Sequence, residues 1–102
     1  MTNLLEETTK FLQRYNKTFA DIIAICIDDC QITKENFIRC ANVQYNSGYG
    51  TPEVYTDLKL VGKDFWLERA EYDGSEWWEY KSMPNYQEFP IKEINSLIYS
   101  NY

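Results

Sequence analysis

The chain has 102 residues, 44% hydrophobic and 17% aromatic, which is enough for one domain with a real core and too much apolar content for a disordered chain. Its net charge of −6, with no run of bases, argues against direct binding of nucleic acid or of anionic membranes. No histidine is present, which removes the commonest general base, the commonest transition-metal ligand and every Ser-His or Cys-His nucleophile pair within the chain.

The elements are expected in the following order. Leu4, Leu5, Thr8, Phe11, Leu12 and Tyr15 recur at helical spacing and predict an N-terminal helix. Asn3 with Glu6 has the form of a capping box, and Asn16 and Lys17 end the helix. The run Asp21 to Asp29 is apolar between acids and reads as a buried, central strand. The alternative is a short helix capped by Thr18 that runs into it. Thr33 has the position of an N-cap for a short helix over 34–41, with Phe37, Ile38 and Ala41 on one side. Residues 42–57 read as a long loop carrying Tyr45, Tyr49 and Tyr55.

A three-stranded antiparallel meander follows, over Leu58–Val61, Phe65–Tyr72 and Trp77–Lys81, with turns at Gly62-Lys63-Asp64 and Asp73-Gly74. Met83-Pro84 and Phe89-Pro90 interrupt regular structure. Ile91, Ile94, Leu97 and Ile98 then predict a short C-terminal helix. The fold class is α+β, as a single domain over residues 1–102.

Alternation along the hairpin sorts it into two faces. Phe65, Leu67, Arg69, Glu71, Trp78 and Tyr80 share one, the cleaner apolar set, which is expected to cover the core. Trp66, Glu68, Ala70, Tyr72, Trp77, Glu79 and Lys81 share the other. Tryptophan and tyrosine beside carboxylates have the composition of an interface hot spot. The competing reading is that helices cover this face and the tryptophans are core.

Acids concentrate in the same region. Asp64, Glu68, Glu71, Asp73, Glu76 and Glu79 stand against Lys63 and Arg69, which is −4 of the chain's −6. Such acids either imitate phosphates on a basic surface of another protein or form a solvated hairpin that resists edge-to-edge aggregation. The expected contact set is therefore Glu68, Glu71, Asp73, Glu76 and Glu79 for charge and Trp66, Tyr72 and Trp77 as anchors, extended by Tyr45 and Tyr49 from the loop.

Other chemistry is thin. Cys26, Cys30 and Cys40 do not have a zinc spacing and read as small hydrophobes in a reducing cytoplasm. Asp28-Asp29 reads as a turn-forming pair, the alternative being half of a hard-cation site. Glu68 and Glu79 with flanking tryptophans have the ingredients of a glycosidase site, but a domain of this size rarely supplies the cleft. The expectation is a chain without catalysis, metal or cofactor.

The stretch DLKLVGKDFWLERAEYDGSEWWEYKSMP, residues 57–84, resembles small uncharacterised proteins encoded by phages and prophages of low-GC Gram-positive bacteria, which carry a tryptophan-rich hairpin of this kind. The matching residues are Trp66, Leu67, Glu68, Arg69, Glu71, Tyr72, Asp73, Gly74, Ser75, Glu76, Trp77, Trp78 and Glu79. Phe65-Trp66 stands where a tryptophan pair is expected, and Ala70 where a larger polar residue is. The resemblance implies a phage or prophage origin; by analogy with small acidic phage proteins that bind and disable host machines, the expected function is an inhibitor in the host cytoplasm, with a host defence protein such as a CRISPR effector as partner. A self-associating interaction module, in the form of a homodimer, is the alternative.

Overall fold

A computed structural model describes residues 1–48 and 50–99. The chain begins with a two-residue strand, β1 (Thr2–Asn3), and passes directly into helix α1 (Leu4–Arg14). Asn3 accepts the Glu6 amide at 2.9 Å, and Leu4, Thr8 and Leu12, one turn apart, form the buried stripe. The helix ends as expected at Asn16. This residue takes a left-handed conformation (φ 59°), and the Lys17 amide bonds back to the Leu12 carbonyl at 2.9 Å. The complete reciprocal capping box forms at Thr18, where the Thr18 hydroxyl caps a single 3-10 turn (Phe19–Asp21) and its amide donates to Asp21 at 2.8 Å. That turn delivers the chain into β2 (Ile22–Ile27), so the Thr18 cap and the strand are both present.

Residues Asp28 and Asp29 both have positive φ, 51° and 60°, the geometry of a two-residue type I′ hairpin. They turn the chain into β3 (Cys30–Ile32), a strand the apolar pattern did not signal because it is only three residues long. Thr33 caps α2 (Lys34–Ala41) through the Asn36 amide at 3.0 Å, and Phe37 and Ala41 are buried while Ile38 is exposed. Within the expected loop, β4 (Gln44–Tyr45) pairs with β1, with Tyr45 opposite Thr2. This small ladder ties the start of α1 to the end of α2, and the Leu4 amide bonds to the Val43 carbonyl at 3.1 Å.

The meander is present as β5 (Lys59–Gly62), β6 (Phe65–Tyr72) and β7 (Ser75–Ser82). Asp73 (φ 50°) and Gly74 (φ 87°) make the second type I′ turn. All five long-sheet strands run antiparallel in the order β3-β2-β5-β6-β7. The central strand is therefore β5, and β2 lies one place from the edge. A register shift between Ile22 and Ala24 leaves Ile23 outside the ladder and 69% exposed, so the apolar run is not buried on both faces.

Cross-strand partners share a face, and the row Ile25–Leu60–Leu67–Tyr80 runs across the middle of the covered one. Leu60 and Leu67 are fully enclosed, each worth about 2 kcal/mol of transfer free energy. Leu4, Leu12, Ile22, Phe37, Ala41, Tyr45, Leu58, Phe65 and Trp78 complete this core. Tyr15 of the α1 cap stacks on Tyr80 at 4.0 Å, which extends the aromatic layer to Phe65. Gly62 has room for no side chain, since a Cβ there would lie 2.0 Å from the Phe65 ring.

The expected C-terminal helix is absent. Among the described residues beyond Ser82 there is one 3-10 turn (Tyr86–Glu88), and residues 91–99 have neither helix nor strand. Ile91 and Leu97 are almost wholly exposed, at 102% and 93%. Helices of this length are marginal in water without a surface to pack on, and Pro90 stops the preceding turn from extending. No helix among the described residues is long and apolar enough to cross a membrane.

Candidate interaction surface

Both helices lie on one side of the sheet, so the face bearing Trp66 and Trp77 is left uncovered. Its middle is built from two cross-strand rows, Ala24–Val61–Trp66–Lys81 and Cys26–Lys59–Glu68–Glu79, continued towards the hairpin tip by the pairs Ala70–Trp77 and Tyr72–Ser75. Trp66 is half-buried among its neighbours, Trp77 is 37% exposed and Tyr72 is 77% exposed.

A repeated element organises this face. In Trp66-Leu67-Glu68 and again in Trp77-Trp78-Glu79, a tryptophan and a glutamate two residues apart point the same way. The Trp66 indole N–H donates to Glu68 Oε1 at 3.1 Å, and that of Trp77 to Glu79 Oε2 at 3.4 Å. Because the strands are antiparallel, Glu68 and Glu79 stand directly opposite each other with a tryptophan on either flank. Two like charges in this position oppose each other. The indoles and Lys81, whose Nζ lies 3.4 Å from Glu79 Oε1, offset that cost. Lys59 stands beside Glu68 in the same row. The surplus of negative charge lies instead at the tip, where Glu71 and Asp73 are exposed.

Glu71 sorts to the covered face but lies near the end of β6, and it is free to act with Asp73. Two expected contacts are corrected. Glu76 is 5% exposed and Tyr45 is 4% exposed, because both belong to a buried cluster centred on Arg69. Tyr49 lies outside the described residues.

In that cluster the Arg69 Nη2 donates to Glu76 Oε1 at 3.0 Å and to the Tyr45 hydroxyl at 3.1 Å. The Tyr45 hydroxyl donates in turn to Glu7 Oε1 at 2.6 Å. Glu76 also accepts the amides of Glu53 and Val54, at 2.7 and 3.2 Å, and so holds the long loop onto the hairpin. Arg69 Nε and Nη1 have no hydrogen-bond partner among the described residues. The guanidinium is instead stacked against Trp78, 4.7 Å from the ring centre, with Nη1 3.7 Å from Glu7. Burial, followed by the bond to Glu7, pushes the Tyr45 hydroxyl up to about 12, against the opposing pull of Arg69.

The signal for this cluster was already in the sequence. Face sorting put Arg69 with Leu67 and Trp78, and a two-residue turn puts Glu76 there too. A charge on a core face requires a partner.

A cleft of about 590 Å³ lies between α2, β3 and the 53–58 loop, with Ile32, Phe37, Cys40, Val54 and Leu58 in its apolar wall. Among the described residues, no three His, Cys, Asp or Glu side chains converge as a metal site requires. Comparison with known proteins found no matching family model, no matching curated protein and no matching solved structure.

Proposed function

We propose that this chain is a non-catalytic binding module that occupies a basic surface of a partner protein through the uncovered sheet face. The observation that carries this reading is the pair of Trp-x-Glu elements, which place two indoles and two carboxylates on a face that no element among the described residues covers. Trp66, Trp77 and Tyr72 are the anchors. Glu68 and Glu79 are the central charges, and Glu71 and Asp73 extend the negative potential at the tip. Aromatic anchors beside carboxylates suit arginine- and lysine-rich surfaces, of which the nucleic-acid-binding channel of a host defence protein is one. The resemblance of residues 57–84 to phage-encoded proteins favours an inhibitor of such a protein, including a CRISPR effector.

The test is a tagged pull-down from a Gram-positive host lysate carrying a CRISPR system, washed at low and high salt. Wild type should retain a nucleic-acid-binding protein at low salt and release it at high salt. The triple variant Trp66→Ala, Glu68→Gln, Glu79→Gln should not retain it. Equal capture by the triple variant would remove this face from the mechanism.

A further inference from the structure

The outer edge of β7 carries a self-complementary pattern. The Glu76 amide bonds to the Ser47 carbonyl at 2.8 Å, outside the β6–β7 ladder, and the Met83 amide bonds inward to the Asp64 carbonyl at 3.2 Å. Backbone groups alternate along an antiparallel strand, so the even positions of β7 face outward. Glu76 is satisfied there by Ser47. For Trp78, Tyr80 and Ser82, no outward backbone hydrogen bond is made among the described residues. This is an open strand edge, bounded at one end by the Ser47 contact and at the other by Pro84, which has no N–H to offer.

We infer that β7 pairs antiparallel with β7 of a second copy of this chain, centred on Tyr80, to give one continuous sheet through both copies. The occupant is chosen by the side chains. With Tyr80 opposite Tyr80 of the second copy, Trp78 falls opposite its Ser82, and each such pair exchanges both backbone hydrogen bonds. Glu79 then falls opposite Lys81 of the second copy, and Lys81 opposite its Glu79, so both contacts join opposite charges. One step further, Trp77, 37% exposed, meets Met83 of the second copy, 69% exposed, on the same uncovered face. On the helix side the half-exposed Tyr15, stacked on Tyr80, reaches the seam. The next outward pair would set Pro84 against Glu76, whose amide Ser47 already holds, so the ladder stops where both partners run out. A shift of two residues would put Glu79 opposite Glu79 or Lys81 opposite Lys81, which fixes the register. This pairing shares Trp77 and Glu79 with the face proposed to bind a partner, but its test, the mass of the free protein, does not depend on what that face binds.

The test is sedimentation equilibrium or light scattering across a concentration series. Wild type should reach twice its 12.2 kDa chain mass. Glu79→Lys and Lys81→Glu each place like charges at both contacts and should weaken dimerisation on the order of tenfold. The double swap Glu79→Lys/Lys81→Glu restores opposite charges and should recover it. Ser82→Pro removes an outward N–H without touching the internal ladder, so it should weaken the dimer while leaving circular dichroism and melting of the monomer unchanged. A wild type that stays monomeric at about 100 µM overturns the proposal. So does a dimer whose affinity ignores the single charge reversals, or one that the double swap fails to rescue.

Discussion

Arg69 and Glu76 form an ion pair at 3.0 Å in which each side chain is only 3% exposed. It joins the two strands of the hairpin on their covered face and, through the Glu53 and Val54 amides, fastens the loop that precedes β5. Removing Glu76 leaves the buried guanidinium only its longer contact with Glu7, at 3.7 Å. Glu76→Ala should therefore destabilise the fold by about 3–5 kcal/mol, measured by urea denaturation. Removing both charges together, as Arg69→Met with Glu76→Leu, should cost clearly less than the sum of the single changes. Additive losses would show that the two residues do not act as a pair.

Tyr45 gives the cluster a signature at high pH. Its hydroxyl is raised from 10.0 to about 12 on folding, so the folded state favours the protonated form. The stabilisation is fully present below pH 10 and is lost as pH rises from 10 towards 12. Ultraviolet titration of tyrosinate should show one late-ionising group, and Tyr45→Phe should abolish that phase. If the phase persists in the variant, another tyrosine is responsible.

The turn at Asp28-Asp29 holds two non-glycine residues in left-handed conformations. Asn-Gly is the pair this turn geometry prefers. Asp29→Gly, alone or with Asp28→Asn, should stabilise the protein by about 0.5–1 kcal/mol and raise the melting temperature. A fall in melting temperature would mean that the Asp29 side chain contributes more than its backbone strain costs.

Glu68 separates stability from binding. It opposes Glu79 across the strands while accepting the Trp66 indole. Glu68→Gln keeps an acceptor for the indole and removes the repulsion. Thermal stability should stay level or rise by a few tenths of a kcal/mol. Partner capture should nevertheless weaken and lose part of its salt dependence. Weaker capture in a protein that also melts earlier would point to a structural effect instead.

Much of this fold could be read from local chemistry. Asn3, Thr18 and Thr33 cap helices because a side-chain oxygen placed before a helix satisfies its free amides, whatever lies elsewhere in the chain. The hairpin faces followed from alternation once Asp73-Gly74 marked the turn, and that alone put Trp66, Glu68, Trp77 and Glu79 side by side. Tertiary structure decided what covers each face. The cleaner apolar set marked Phe65, Leu67 and Trp78 as the core face, and they are buried; whether a helix also covers the tryptophan face was left open by alternation, and both helices lie on the other side. It also decided two of the partners of Arg69: Glu76 shares its hairpin face, but Glu7 and Tyr45 reach it only when β1, β4 and α1 close over the hairpin. The tail shows the limit from the other side. Ile91, Ile94, Leu97 and Ile98 have a helical period, but a period becomes a helix only where a surface buries its apolar stripe, and the described residues provide none for 91–99.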